Sequence, residues 1–597
     1  MRVAYGDGFL MSSYYRAPLG LTHLALAQAV EAAGACDIDG YEETLGAVAG
    51  AVLESAARFA GDVLSPLNRL GDRSPSRLEA SGVTTPPGFA RAYRMLRDDG
   101  WVSLAAPAGC GGQGLPMVLA SAVTEMWAGA NLSLAMCPEL ALGALEVLRA
   151  HAGPELIERY AAPVASGEWT AAMDLTESGA GSDLSSIRTR AERQDDAWRL
   201  YGRKMFISWG EHDLTENIVH FVLARTDGAP EGLKGLSLFL VPKNIAARGR
   251  FEPNDIRALS VEHKMGIRAS PTCLMALGER DGARGWLIGG VNDGLACMFT
   301  MMNHMRLGVG LHSLGLGERA LQLARQYARE RIQGHDAAGA PCAIIAHADV
   351  RRMLLTMKAL VHAARCLAYN AAATFDVASQ SPDATVRAKA AKRLDLLTPL
   401  VKAWCSDVAV EVASLGVQVH GGAGYLDESE VSQVYRDARI GPIFEGTNYI
   451  QAQDLLSRKV LRDGGVALGE LLKEIEQAAR ALAVANIKPL APLRAQLLEG
   501  AQRLRAAVTS LGTRAGESDL IGAAAYHFLH GLGVLAGGWQ WALAGAKAAT
   551  QPPGAQAGAI MATAAFYAAH VLPRVSMHCS IIEGGTDVLA RALPEDI

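Results

Sequence analysis

The sequence predicts an α+β fold that is mainly α, with an N-terminal helical domain, a central small β-barrel or sandwich, a C-terminal four-helix bundle and an additional C-terminal helical domain. Two observations support this prediction. Apolar residues recur about every 3.6 residues before position 169 and after position 290, as on one face of a helix. Between these positions the period is about 2, and short β-prone runs are bounded by turn residues.

The length of the chain predicts several domains. It has 597 residues, whereas a single hydrophobic core stops growing at ~250–300 residues. We expect five segments in chain order: an N-terminal extension (1–40), an N-terminal helical domain (41–168), a β-domain (169–290), a helical bundle (291–463) and a further helical domain (464–597).

The first helices follow from apolar spacing. Residues 21–69 predict two or three helices, and helical patterns also cover Phe89–Asp98 and Met117–His151. The stretch from Gly71 to Gly88 collects Ser, Pro, Thr and Gly, so we expect a surface loop there.

Short β-prone runs predict the central domain. The six runs are Trp169–Leu175, Trp198–Ser208, Asn217–Ala224, Leu236–Val241, Thr272–Leu277 and Gly285–Ile288. Turn residues such as Asp-Gly and Glu-Gly separate them, which predicts a small barrel or sandwich of six strands.

Helical spacing returns after Val291. Apolar patterns over 309–328, 350–364 and 401–417, with a helix near Leu455–Leu461, predict a bundle of four or more helices. Gly464 and Gly465 mark a boundary, and the remaining residues predict helices rich in Ala and Leu.

The composition disfavours several classes of partner. The formal net charge of −5 leaves no global basic field for nucleic acid or an anionic membrane. The nine cysteines show no C-x-x-C spacing, so neither a metal site nor a disulfide framework is predicted, and a reducing cytoplasm is the expected location. No apolar run reaches the ~18–20 residues of a membrane span, and the N-terminus does not resemble a secretory signal.

Glu445 is the candidate for acid–base chemistry. It follows the apolar residues Ile443 and Phe444 and precedes Gly446 and Thr447, where the helical pattern stops. Apolar surroundings raise the pKa of a carboxyl group toward neutrality, where a general base works best. By itself a Glu-Gly-Thr string is more often a solvated helix end, so the surrounding motifs must decide.

A glycine-rich segment at the start of the β-domain is the second candidate. In Met173-Asp-Leu-Thr-Glu-Ser-Gly-Ala-Gly-Ser-Asp183, backbone N–H groups and the hydroxyls of Thr176 and Ser182 can bind a polar heterocycle or a phosphate. A structural hairpin loop is the competing interpretation. Further along, Tyr201-Gly-Arg-Lys-Met-Phe-Ile-Ser-Trp-Gly210 places an aromatic and a hydroxyl residue on one strand.

Together these motifs resemble those of acyl-CoA dehydrogenases. The family pattern Thr-Glu-x-Gly-Ala-Gly-Ser-Asp matches 176–183, and Gly-x-Lys-x-(aromatic)-Ile-(Ser/Thr) matches 202–208. An Arg-Asp pair upstream of Glu-Gly-Thr matches Arg436-Asp437 and 445–447. The matches occur in family order and imply an acyl-CoA dehydrogenase-like fold.

The resemblance implies FAD as cofactor. It assigns to FAD the residues Met173, Leu175, Thr176, Gly181, Ser182, Phe206, Ser208, Arg331, Gln418, Gly421, Gly422, Thr447 and Asn448. Arg331 is placed on the pyrophosphate, since guanidinium suits phosphate. In the family, Gln-x-x-Gly-Gly, here 418–422, meets FAD of the neighbouring subunit, so a homo-oligomer (dimer or tetramer) is implied.

The resemblance also implies a substrate site. It assigns to acyl-CoA the residues Ser182, Asn303, Arg306 and Gly446. A subset of the family carries its catalytic acid one residue before the arginine, where this chain has Met305, so the catalytic base falls on Glu445. Glu583 lies in a similar string but lacks the upstream Arg-Asp pair, and it is not the candidate.

This chain departs from the family pattern at three places. Ser178 stands where proline is common, Asp174 is an unusual polar neighbour, and Ile332-Gln-Gly334 replaces the commoner Lys/Arg-x-Phe-Gly. We expect these changes to affect loop shape, flavin electronics and the Arg331 contact.

The implied reaction is FAD-dependent α,β-dehydrogenation of an acyl-CoA thioester to the trans-2-enoyl-CoA, as in fatty acid β-oxidation. Glu445 removes the α-proton, flavin N5 accepts hydride, and an electron-transfer flavoprotein takes the electrons. The region beyond 463 resembles a longer bacterial branch that acts on medium- or long-chain acyl-CoA or on methylthiopropionyl-CoA. Two alternatives remain: an acyl-CoA oxidase using O₂, and a flavin-binding relative associated with DNA repair or regulation, which the charge of −5 does not favour.

Overall fold

The computed structural model describes residues 15–247, 250–552 and 554–591. Residues 1–14 and 592–597, which belong to the first and last predicted segments, lie outside the described residues. The helices are α1 (Leu19–Ala33), α2 (Tyr41–Phe59), α3 (Ser65–Arg73), α4 (Phe89–Asp98), α5 (Met117–His151), α6 (Pro154–Ser166), α7 (Gly294–Glu330), α8 (Ala348–Gln380), α9 (Ala384–His420), α10 (Glu430–Ala438), α11 (Asn448–Gln453), α12 (Val466–Val484), α13 (Ala491–Thr513), α14 (Ser518–Ala549), α15 (Ala555–His570), α16 (Arg574–Gly584) and α17 (Thr586–Arg591).

The strands lie mainly between α6 and α7. They are β1 (Arg77–Glu79), β2 (Gly82–Thr84), β3 (Trp169–Asp174), β4 (Arg190–Gln194), β5 (Ala197–Ser208), β6 (Asn217–Thr226), β7 (Leu236–Pro242), β8 (Asn244–Ala247), β9 (Arg250–Pro253), β10 (Ile256–Val261), β11 (Thr272–Leu277), β12 (Ala283–Ile288), β13 (Ile332–His335) and β14 (Pro341–Ala343). The predicted α+β class, mainly helical, is confirmed.

All six predicted strands are present, as β3, β5, β6, β7, β11 and β12. The prediction missed β4, β8, β9 and β10 in the β-domain and the later hairpin of β13 and β14, and the expected loop at 71–88 contains the hairpin of β1 and β2. Strand β4 reads Arg-Ala-Glu-Arg-Gln, so only Ala191 is apolar and no alternation is visible. This strand is held by hydrogen bonds to β5 and β6. Backbone pairing with distant strands produces no pattern in the local sequence.

The chain divides into two compact units, each formed from separate stretches of sequence. The first contains Met1–Glu54, Met117–Gly129 and Val309–Ile597, and the second contains Ser55–Pro116 and Ala130–Gly308. The sequence predicts five segments that follow one another along the chain. Their boundaries stay a prediction.

A small closed barrel lies in the second unit. Strands β5, β12, β7 and β6 are neighbours in that order, and β4 pairs with both β5 and β6, so five strands close a ring. Strand β3 adds to β6 in parallel, and β11 and β10 add beyond β5. The core includes Leu200, Ile218, Val222, Phe239 and Val241, all fully buried. Of the two predicted alternatives, the barrel is therefore correct.

Long helices form the first unit. Helices α8 and α9 pack along each other, and α1 packs on α8. Helix α14 contacts α8, α9, α11, α15 and α16, so the C-terminal helices pack directly on the bundle.

Among the described residues, three helical stretches are long and apolar enough to cross a membrane by length and composition alone: Met117–His151, Ser518–Ala549 and Ala555–Gly584, the last of which spans α15 and α16. No membrane span is expected from the sequence, because polar residues interrupt each apolar run, whereas the mean hydropathy of these helices is high in spite of them. Among the described residues, 89%, 78% and 44% of the respective apolar windows are buried inside the protein. The first two helices are therefore mostly core.

Candidate active site

Glu445 lies in the loop between α10 and α11, in the first unit. Residues 439–447 form this loop, which we term the Glu445 loop. Glu445 has φ 57 and Gly446 has φ 78, so two consecutive residues are left-handed. For a residue with a side chain this conformation costs ~1–2 kcal/mol. Such strain persists only where the surroundings enforce it, and it clusters at functional sites.

Hydrogen bonds from α11 hold the Glu445 loop. Gln451 Nε2 donates to the carbonyl oxygens of Glu445, at 3.2 Å, and of Gly446, at 3.3 Å. Thr447 caps the helix, since its Oγ1 accepts from the Ile450 N–H at 3.3 Å. The loop is therefore held at the two residues that adopt the left-handed conformation.

Asn448 anchors the start of α11 on α9. Its Oδ1 accepts from Lys402 Nζ at 2.9 Å, and its Nδ2 donates to the Ala403 carbonyl at 3.1 Å. Both ends of the amide are thus engaged inside the protein, and the side chain is buried. The family resemblance assigns Asn448 to FAD; in the structure its side chain supports the loop, and the FAD contact stays a prediction.

The predicted Gln-x-x-Gly-Gly segment is exposed at the end of α9. Gln418, Gly421 and Gly422 are all exposed. Gly421 has φ 59, which favours glycine, and nothing lies within 4 Å of a Cβ built on Gly422. The ring of the intervening His420 stacks on Tyr327 at 4.4 Å, and burial lowers the pKa of His420. The His420 side chain thus anchors a segment whose glycines face outward.

Arg331 directly follows the end of α7, at the base of a hairpin. Its Nη2 lies 3.4 Å from Gln333 Oε1. The departure Ile332-Gln-Gly334 forms strand β13, which pairs with β14. His347 Nε2 lies 2.7 Å from the Gln333 carbonyl and fixes the hairpin on the start of α8.

In the second unit, the two predicted flavin segments lie side by side. The Met205 N–H donates to the Thr176 carbonyl at 2.9 Å, which joins the residue after β3 to β5. Thr176 and Ser208 are half-buried, whereas Phe206 is 56% exposed and left-handed, with φ 61. An aromatic ring held out by a strained backbone, with hydroxyls nearby in sequence, suits a flat ligand with polar edges.

The other predicted cofactor residues of this unit flank that pair. Met173 is half-buried and Leu175 is buried, while Gly181 and Ser182 are exposed in the loop after β3. That loop is closed by reciprocal backbone hydrogen bonds between Glu177 and Ala180, both 3.0 Å, and Ser178 lies exposed inside it.

A buried ion pair supports the strand end, and sequence reasoning gave it no role. Lys204 Nζ donates to the Leu175 carbonyl at 2.9 Å and to Glu177 Oε1 at 2.8 Å. Burial lowers the pKa of Lys204, although Glu177 opposes this shift. Burial opposes ionisation of Glu177, but Lys204 and Thr189 outweigh it and leave the pKa below its usual value. The sequence signal for this ion pair was Lys204, the lysine of the Gly-x-Lys-x-aromatic motif.

The unusual Asp174 has a buried histidine as partner. His220 Nδ1 lies 3.1 Å from Asp174 Oδ1, and both side chains are inaccessible to solvent. His220 Nε2 has no hydrogen-bond partner among the described residues. The sequence flagged Asp174 but could not supply His220, since the two lie on different strands, 46 residues apart.

The two predicted substrate residues of α7 contact each other. Arg306 Nη1 donates to Asn303 Oδ1 at 3.2 Å, and the guanidinium carbon lies 5.6 Å from the Phe299 ring centre. Asn303 is exposed and Arg306 is buried. Met305, which occupies the alternative position for a catalytic acid, is also buried.

Family models match nearly all of the chain. They are described as acyl-CoA dehydrogenase N-terminal domain (residues 47–168), middle domain (172–278) and C-terminal domain (292–460), and as an acetyl-CoA dehydrogenase C-terminal-like domain (470–592).

Two curated proteins match over most of their length. The chain is 42% identical to 3-methylmercaptopropionyl-CoA dehydrogenase of Ruegeria pomeroyi, over 97% of this chain and 100% of that protein. It is 35% identical to the broad-specificity linear acyl-CoA dehydrogenase FadE5 of Mycobacterium tuberculosis, over 88% of this chain and 92% of that protein.

Solved structures share the fold. Caenorhabditis elegans ACDH-11 in complex with C11-CoA matches with a TM-score of 0.77 and 21% identity, over 95% of this chain and 93% of that chain. An acyl-CoA dehydrogenase from Bacillus anthracis, complexed with FAD, matches with a TM-score of 0.72 and 21% identity, over 92% of both chains.

Proposed function

Because this chain belongs to the acyl-CoA dehydrogenase family of FAD-dependent oxidoreductases, we propose that it converts an acyl-CoA thioester to the trans-2-enoyl-CoA with Glu445 as the base. The observation that carries the proposal is the strained, left-handed Glu445 between α10 and α11. The enzyme class and the cofactor follow from the family, whereas the base, the substrate and the electron acceptor are proposals.

Glu445 removes the α-proton of the acyl group. The loop holds the backbone of Glu445 in one conformation and so directs its carboxylate. A base accelerates proton removal most when it is positioned before the reaction begins. Phe444 and the Glu445 side chain are half-buried, which keeps part of the surrounding water away from the carboxylate. Arg436 and Asp437 lie in α10, just before this loop.

FAD supplies the acceptor for the β-hydride when it is bound. Thr176, Phe206 and Ser208 in the second unit fit a flat, polar-edged ring, with Gly181 and Ser182 in the adjoining loop. The phosphate and distal parts of the cofactor contact Arg331, Gln418, Gly421 and Gly422. Thr447 is a further proposed FAD contact. The residues proposed to contact acyl-CoA are Asn303, Arg306, Ser182 and Gly446.

We further propose a cytoplasmic homo-oligomer that passes electrons to an electron-transfer flavoprotein. The segment after α9 supports the oligomer, because Gly421 and Gly422 are exposed together with Tyr425 (87%) and Leu426 (55%). A large exposed aromatic side chain beside open glycines suits contact with a second copy of the chain.

The proposed substrate is an unbranched acyl-CoA. One full-length relative is named for 3-methylmercaptopropionyl-CoA and the other for linear acyl-CoA. A methylthio group in that position gives the same chain length as pentanoyl-CoA, so one narrow pocket can accept both. We expect turnover of both substrates with a dye acceptor, and at least tenfold lower kcat/KM for the branched isovaleryl-CoA. Equal turnover of the branched substrate would contradict the proposal, and H₂O₂ release without an added acceptor would identify an oxidase.

Replacing the base tests the mechanism. Glu445→Gln should retain FAD, read from the visible absorbance, and lose about 10²–10⁴-fold in turnover, the usual contribution of a general base. Glu583→Gln is the matched control, because Glu583 lies in a similar sequence string but forms an exposed ion pair with Arg503 at 2.8 Å. Substantial activity in Glu445→Gln, or equal losses in both variants, would move the base elsewhere.

A further inference from the structure

The direction of the Glu445 side chain is fixed by two peptide groups. The carbonyl oxygen of Glu445 belongs to the peptide bond that follows its Cα, and the carbonyl oxygen of Gly446 belongs to the next one. Gln451 Nε2 donates to both oxygens, at 3.2 and 3.3 Å. Both carbonyls are thus turned toward α11, which constrains ψ of Glu445 together with φ and ψ of Gly446. The angle ψ of Glu445 sets the direction of its side chain relative to the peptide group that Gln451 holds.

Packing alone does not explain an amide at this position. Gln451 is fully buried, and its Oε1 has no hydrogen-bond partner among the described residues. A buried amide with an unpaired oxygen destabilises the fold, whereas a methionine of similar volume would not carry that cost. The amide N–H groups of Gln451 are the part of this side chain that the structure uses.

Helix α9 holds the end of the same loop. Lys402 Nζ, which is completely buried, donates to Asn448 Oδ1 at 2.9 Å. The Asn448 N–H donates across the loop to the Pro442 carbonyl at 3.0 Å. A charged donor makes a stronger hydrogen bond than a neutral one, so α11 is held firmly on α9 where the Glu445 loop ends.

We propose that Gln451 and Lys402 are positioning residues for Glu445, which together impose the left-handed backbone that aims its carboxylate. This inference rests on the proposed role of Glu445 as the base. Neither residue touches the reacting atoms in this scheme. Displacing a catalytic group by about 1 Å lowers the rate by about 100-fold, so a loop held from two helices has a direct effect on turnover.

The test removes the amide and keeps the volume. Gln451→Met should lower kcat by about 10–100-fold, with KM and FAD content within about twofold of the native enzyme and thermal stability little changed, because loss of the unpaired oxygen offsets loss of the two hydrogen bonds. With an α-deuterated acyl-CoA, the isotope effect on kcat should rise, since proton removal becomes slower relative to the other steps.

Gln453→Met is the matched control. It removes the same amide from the same helix, but Gln453 Nε2 donates to Tyr449 Oη on the exposed side, at 2.9 Å. This variant should match the native enzyme in kcat and isotope effect. Gln451→Asn, whose shorter side chain cannot reach both carbonyls, should show the same change as Gln451→Met and serves if the methionine variant folds poorly.

Two outcomes would overturn the proposal. In the first, both Gln451 variants keep the native kcat and isotope effect while Glu445→Gln is inactive. This result would overturn the positioning role of Gln451 and leave Glu445 as the base. An active Glu445→Gln would overturn the role of Glu445 and this inference with it. Lys402→Met gives a second readout, and a fall in its kcat with an unchanged isotope effect would remove Lys402 from the proposal.

Discussion

At the residue scale, burial decides which side chains carry charge. His362 of α8 is 3% exposed, and its ring lies 4.8 Å from that of Trp541. Burial lowers the pKa of His362 to about 3, and the positive charges of Arg365 and Lys358 add to the effect. At neutral pH the residue is therefore an uncharged aromatic ring in the core of the first unit.

The depressed pKa of His362 makes stability depend on pH. An unfolded histidine takes up a proton below pH ~6.5, whereas folded His362 does so only near pH 3. Lowering the pH from 6.5 to 4.5 therefore favours unfolding. We expect the native protein to lose up to about 1.4 kcal/mol per pH unit relative to His362→Phe, which keeps an aromatic ring against Trp541. Urea midpoints at several pH values measure this, and parallel curves would contradict it.

At the element scale, glycines let α14 approach the bundle. A Cβ built on Gly533 would lie 2.4 Å from Cγ of Trp404 in α9, and one on Gly537 would lie 2.9 Å from the same indole. Glycine weakens a helix by ~1 kcal/mol relative to alanine, so its presence in α14 requires a packing reason. Close contact with the Trp404 side chain is that reason.

Two alanine substitutions on α14 separate packing from helix propensity. Gly533→Ala should destabilise the protein by about 1–3 kcal/mol, because the new methyl group overlaps a buried indole. Gly531→Ala is the control, since the nearest atom to its Cβ is at 3.4 Å, an ordinary contact. The control should be neutral or more stable by up to about 1 kcal/mol. Equal effects in chemical denaturation would show that Trp404 moves away without cost.

At the scale of the whole molecule, buried charges join distant parts of the chain. Arg365 of α8 donates to Glu125 of α5 at 2.6 Å and to Glu318 of α7 at 2.8 Å, and Tyr369 Oη donates to Glu125 at 2.6 Å. Removing one member of this ion-pair group leaves a buried charge without its partner, which lowers the free energy of unfolding by about 3–5 kcal/mol. These contacts join two of the separate sequence stretches of the first unit, Met117–Gly129 and Val309–Ile597.

The sequence alone determined the order of elements and the main chemical candidates. Apolar periodicity reflects which side of each element is buried, so it located four of the five strands that close the barrel and the helices on either side. Glu445 and the glycine-rich segment were found because their motifs are contiguous and need no knowledge of the fold.

Only the tertiary structure decided how these residues are held. The closed barrel depends on β4, which carries no apolar alternation. The Asp174–His220 contact and the Lys402–Asn448 hydrogen bond each join residues 46 positions apart. The left-handed Glu445 and Gly446 have their carbonyl oxygens held by Gln451 of the next helix. Such contacts arise where two surfaces meet, and a local pattern in the sequence describes only one surface at a time.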